Sequence, residues 1–176
     1  YLARVDDALL EGHRIIGMVQ PLPGEEEAER PRLCEVGCAG RITQLGETGD
    51  GRSMLSLTGI ARFRILGEQD GDRPYRRCKV DFGAFRDDFE PRRGEEAVDR
   101  EALLRANALE ADWDGIRRAP TEVLVNSLCM MSPWGVREKQ ALLEAPDLKT
   151  RAALLVAVTE VALSRNEADT SRKVLN

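Results

Sequence analysis

The sequence predicts an α+β protein, an antiparallel β-lobe with one short helix followed by a C-terminal small helical bundle. Three observations carry that reading. Residues 14–82 hold β-patterned segments separated by turn residues, residues 2–11 hold apolar side chains at helical spacing, and every periodic segment after residue 96 has the helical period. The change falls in the charged segment 86–96, which holds Pro91 and Gly94, so the expected division is 1–90 for the β-rich lobe and 91–176 for the helical lobe.

Leu2, Val5, Leu9 and Leu10, with Asp6, Asp7 and Glu11 between them, form an amphipathic helix that Gly12 ends. Residues 14–20 are rich in β-branched side chains and read as a strand, stopped by Pro21-Leu-Pro-Gly24 and a solvated acidic loop. From Leu33 a second strand places Cys34, Val36, Cys38 and Ile42 on one face and Glu35 and Arg41 on the other. Residues 47–51 supply a hairpin turn, and 53–58 return antiparallel. Two further strands follow, 61–65 and 77–82, in which apolar residues alternate with charge, as expected of a sheet with one wet and one dry face. Residues 70–74 form the turn between them.

Past the charged segment, 101–112 and 120–131 read as helices, the second opening on Pro120. Ser132 as N-cap with Pro133 opens a third over 136–144, and Pro146-Asp147 opens a fourth over 148–165. In this last helix Leu148, Ala152, Leu155, Val158 and Ala162 make one stripe, which Leu154, Val161 and Leu163 widen; Thr159 is grouped with the polar residues. It should be central to the bundle, with the chain fraying from Asn166.

The balance of 26 basic and 31 acidic residues among 176 gives a net charge of −5. Residues 1–90 carry 13 basic and 17 acidic side chains and 91–176 carry 13 and 14, so neither half has the basic excess that phosphate-backbone binding needs. Nucleic acid is therefore not an expected partner. The excess of Arg over Lys, 22 to 4, is scattered and reads as codon bias rather than an anion site. The longest apolar run, residues 152–158, is seven long, where a membrane span takes roughly 20. No secretory leader is visible, and four thiols without disulfide spacing point to a reducing, cytoplasmic setting.

No catalytic constellation emerges. There is no Gly-Lys pair for a phosphate-binding loop and no Gly-x-Ser-x-Gly elbow, and the single histidine, His13, lies on a polar turn. Lys79 and Lys139 lie on polar faces, unsuited to act as a base for a Ser–Lys dyad. Cys34 and Cys38, about 13 Å apart along a strand, read as core filler, and with one histidine a zinc site is not expected. The adjacent acids Asp6-Asp7, Glu25-Glu-Glu27 and Asp87-Asp88 read as solvated surface. No cofactor and no enzymatic activity are expected. Binding surfaces remain: Trp113, and Met130-Met131-Ser-Pro-Trp134 at a junction of two helices, as adaptable apolar anchors, weighed against plain core packing. The open edge of the β-lobe, where an extended peptide could add a strand, is a second surface.

Leu33-Cys-Glu-Val-Gly-Cys-Ala-Gly-Arg-Ile42, Asp50-Gly-Arg52 and Leu57-Thr-Gly-Ile-Ala-Arg-Phe-Arg-Ile65 resemble strand and hairpin strings of the N-terminal substrate-binding domain of the Lon protease family. Pro74-Tyr75, Leu124-Val-Asn126, Glu138-Lys-Gln-Ala-Leu-Leu-Glu-Ala-Pro-Asp-Leu148 and Arg151 extend the resemblance over 1–165. It implies a partly closed, PUA-like β-lobe and recognition of unfolded or exposed apolar polypeptide by a non-catalytic module. The alternative is an adaptor or regulator docking one folded partner such as a protease. Family members open with a strand ending in a Phe-Glu-Pro-Arg-Tyr-like string, of which only Tyr1 is matched, so a strand preceding residue 1 is expected. The ATPase and Ser–Lys peptidase domains of Lon have no counterpart in these 176 residues, which gives the expectation of a stand-alone domain.

Overall fold

A computed structural model of the chain describes residues 2–49, 52–90, 95–106 and 118–174, with side chains described as far as residue 164. The chain forms two compact units, Tyr1–Glu90 and Pro91–Asn176.

In the first unit, helix α1 (Leu2–Leu10) precedes four strands, β1 (Ile15–Met18), β2 (Val36–Thr48), β3 (Arg52–Gln69) and β4 (Arg77–Asp81). They form one antiparallel sheet in the order β1-β2-β3-β4. Gly12 ends α1 with a φ of +79°, a conformation that costs glycine nothing. Val5 and Ala8 of α1 are buried against Ile16 and Ile42, with Leu9, Leu55 and Leu57 packed around them.

The segments 53–58 and 61–65, expected as separate strands, are one continuous strand of 18 residues. A register shift opposite Ala39 and Gly40 absorbs Ile60, so the ladder runs on past Gly59 instead of turning. The expected wet face of β3 also differs. Arg62 is buried, because residues 83–89 are not a bare charged connection but a 3-10 turn that covers it and buries Phe85. Phe82 stacks edge-on against both Phe63 and Phe89.

In the second unit, a short 3-10 turn (Glu95–Ala97) leads to α2 (Arg100–Ala106), α3 (Thr121–Met131), α4 (Val136–Glu144) and α5 (Leu148–Val174). Asp99 and Asp147 cap α2 and α5, accepting hydrogen bonds at 2.9 and 2.7 Å from the N–H groups of Ala102 and Thr150. Ser132 does not cap α4. Its extended backbone, enforced by Pro133, ends α3, and both its N–H and its hydroxyl donate to the Leu128 carbonyl. The α4 N-cap is Gly135.

Helix α5 is central, packing against the other three described helices and the 3-10 turn. Leu155, Leu103, Val125 and Leu142 are the largest fully buried side chains here. Two expectations for α5 are corrected. It runs on to Val174 rather than fraying from Asn166, since no Gly or Pro interrupts it. Thr159, read as polar surface, is buried on the 148-152-155-159 stripe with its hydroxyl donating to the Leu155 carbonyl at 2.8 Å, whereas Val161 and Leu163 face outward. Among the described residues no helix is long and apolar enough to cross a membrane.

Candidate functional site

The four sequence candidates separate. Met130 and Met131 close α3 and are 74% and 77% exposed. Val123, one α3 turn-pair earlier, and Val136, which opens α4, are also exposed. Trp134 turns the other way, half-buried and packed against the helical core, and its indole Nε1 is inaccessible with no hydrogen-bond partner. Trp113 lies outside the described residues. The corner is held in place from below: Ser132 caps α3 through two bonds to Leu128, and the Lys139 ammonium donates to the Met130 carbonyl at 3.4 Å. Consecutive helical residues point about 100° apart, so exposure of both methionines leaves a wide arc at this helix end bare.

The first unit holds a different feature, an open hollow of about 590 Å³ on the sheet face that carries Gly17, Ala39, Phe63 and Val80. Cross-strand partners share a face, and the register sets Gly17 opposite Ala39 and Phe63 opposite Gly37. Glycine is needed at 37, where a Cβ would meet the Met18 carbonyl oxygen and the Phe63 ring at 2.7 Å. One wall is closed by Asp7 on α1, which accepts a hydrogen bond from the Tyr75 hydroxyl at 2.5 Å and pairs with Arg73 at 3.0 Å. The Asp7 carboxylate beside it pushes the Tyr75 hydroxyl above its ordinary pKa. In the described sheet β1 and β4 each have one strand neighbour, and on β1 the Gly17 carbonyl accepts from Arg4 while the Ile15 N–H donates to His13.

Three acids expected to stand solvated are paired. Asp7 holds the wall just described. Asp88 accepts from the Arg62 N–H at 2.8 Å, from Nε at 2.9 Å and from Nη2 at 2.7 Å, while the guanidinium lies 4.4 Å from the Phe85 ring centre. Glu25 closes the 22–32 loop on Arg32, whose hydrogen bonds hold the carboxyl below its usual pKa. Spacing rules missed these because each partner is 7 to 68 residues distant. A usable signal existed for Asp88: Phe82, Phe85 and Phe89 repeat at helical spacing around it.

The side chains offer little for covalent chemistry. His13 is exposed, its Nδ1 accepting from the Ile15 N–H at 2.9 Å, so that Nε2 donates to Glu11 at 2.8 Å. All four cysteines are free thiols, and burial pushes Cys78 and Cys129 above the ordinary thiol range, opposite to an activated nucleophile. Among the described residues no group of three His, Cys, Asp or Glu could hold a metal ion.

A four-stranded antiparallel sheet carrying one helix, followed in the chain by a helical bundle, defines an α+β protein with the fold of Lon N-terminal domains. Two solved structures share that fold. The Lon N-terminal domain protein from Xanthomonas campestris matches with a TM-score of 0.65 and 24% identity over 89% of this chain and 82% of that one. The N-terminal domain of the Mycobacterium avium complex Lon protease matches with a TM-score of 0.65 and 20% identity over 90% and 84%. The chain belongs to the family of the ATP-dependent protease La (LON) substrate-binding domain, whose model matches residues 1–159. Lon protease 2 of Myxococcus xanthus is 29% identical over an alignment of 171 positions that covers 88% of this chain and 20% of that protein. The chain thus spans about a fifth of the length of that relative.

Proposed function

We propose that the chain is a non-catalytic polypeptide-binding module that receives exposed apolar segments of unfolded protein at the end of α3. The observation that carries the reading is the exposure of Met130 and Met131 side by side on a capped helix end. Unbranched thioethers adapt to varied apolar side chains, which suits a surface that must accept many sequences. The family's description as a substrate-binding domain supports the same reading. Trp113 is a further anchor candidate, and Trp134, packed against the helical core, is less accessible than the two methionines. The setting we propose is cytoplasmic, consistent with four free thiols.

The test is binding of reduced, carboxymethylated lactalbumin to the whole chain, read by anisotropy of the labelled ligand. Met130→Asp with Met131→Asp, both surface changes, should abolish binding while leaving the thermal transition in place. Unchanged binding by that variant removes the corner from the reading. Capture of one folded partner in a fixed ratio, with no affinity for unfolded chains, would replace it with the adaptor reading.

A further inference from the structure

Met130 and Met131 are more than apolar contacts, because sulfur at an exposed helix end is open to oxidants. We propose that these two residues are a paired oxidation site, at which a peroxide converts each thioether to the sulfoxide and so weakens the corner's hold on apolar polypeptide. The proposal rests on the polypeptide-binding reading above. In each event a sulfur lone pair attacks one peroxide oxygen and an S–O bond forms as the O–O bond breaks. The second oxygen leaves as hydroxide and takes the proton from the oxygen now on sulfur, so hydrogen peroxide yields the sulfoxide and one water, sulfur losing two electrons and the peroxide gaining them.

The geometry singles this pair out. Met18 is 40% exposed, and the Arg4 guanidinium stands 4.0 Å from its sulfur. Met54 is 65% exposed, but it is a solitary methionine on the β2–β3 hairpin. Met130 and Met131 are the most exposed of the four methionines, at 74% and 77%, and they follow one another at the end of α3. A sulfoxide oxygen is a strong acceptor that loses its water when a peptide side chain covers it, and an apolar ligand offers no donor in return. Neither residue is in the core, so oxidation changes the surface and leaves the bundle folded.

The experiment treats the whole chain with hydrogen peroxide, locates added oxygen by peptide mass spectrometry, and measures binding of reduced, carboxymethylated lactalbumin before and after. Wild type should take up oxygen at Met130 and Met131 ahead of Met18, and lose about tenfold or more in affinity, the factor that corresponds to about 1.4 kcal/mol. Methionine sulfoxide reductases should restore it. Met54→Leu should remain as sensitive as wild type, and within the Met130→Leu/Met131→Leu variant peroxide should leave affinity where it started. The proposal fails if both residues are oxidised and binding is unchanged, if they resist oxidation, or if Met54→Leu removes the sensitivity. Absence of binding by the untreated chain would instead overturn the polypeptide-binding reading itself, and the proposal with it.

Discussion

Replacing Asp88 with Ala tests how the β-unit is locked. The substitution removes the acceptor of three hydrogen bonds from Arg62 and separates an ion pair whose side chains are 6% and 19% exposed. Taking one partner from a buried pair costs about 3–5 kcal/mol, because the remaining charge stays desolvated. Water reaches part of Asp88, and the Phe85 ring still faces the guanidinium, so the expected loss is at the low end, about 3 kcal/mol. With a urea dependence of about 1–3 kcal/mol per molar, the unfolding midpoint falls by about 1–3 M. Both tryptophans lie beyond residue 90, so far-UV circular dichroism in the β region is the readout. Asp88→Asn keeps one acceptor and should lose about half as much. A loss for Asp88→Ala below about 1 kcal/mol, the worth of an exposed pair, would refute the buried lock.

Gly37→Ala should destabilise by about 1–3 kcal/mol in urea unfolding, since the added Cβ would meet backbone oxygen at 2.7 Å. Gly46→Ala, with nothing within 4 Å, should be neutral in the same assay. Glu68, held by Arg76 and Arg30, has its carboxyl pKa lowered to about 2. Because the folded value lies below the ordinary 4.5, the contribution is complete above that pH and disappears as pH falls through about 2. Carboxyl carbon NMR should give a Glu68 midpoint near 2 that returns toward 4.5 in Arg76→Ala; a wild-type midpoint already at 4.5 refutes the pairing. For the whole chain, isothermal calorimetry with a single apolar peptide should give a dissociation constant between about 1 μM and 1 mM.

How far the sequence discloses this molecule depends on the range of the interaction. Local rules placed α1, with Gly12 behind it, and placed α4 and the Asp147 cap of α5, because each depends on neighbours within four residues. The same rules grouped Thr159 with the polar face, although a spacing of 4, 3 and 4 from Leu148 puts it on the buried stripe. They also took Asp88 for solvated surface. Its partner is 26 residues upstream, and it becomes a partner only after residues 83–89 fold over β3. For the candidate site, residue type and a place at a helix junction named the Met pair but left exposure and core packing both open, and the 74% and 77% exposure comes from the structure. That Trp134 turns inward was not legible, since either direction satisfies the periodicity.

The expected weakness of peptide binding follows from the size of the bare surface. Met130 and Met131, each about three-quarters exposed, offer about 1–2 kcal/mol apiece on burial, and the half-exposed Val123 and Val136 about 1 each. Matching burial on the peptide roughly doubles this, to about 8–12 kcal/mol. Association then costs at least about 4 kcal/mol in lost freedom, before the peptide is ordered. The surplus, about 4–8 kcal/mol, corresponds to the millimolar to micromolar range. Under the proposed reading, such a surface would release what it captures and discriminate poorly among sequences, as a receptor for unfolded chains would require. Firm retention would then come from several apolar segments of one chain meeting several copies of the corner, since linkage raises effective concentration without new contacts. A nanomolar constant for one short peptide would refute this account, because four side chains of this exposure cannot supply it.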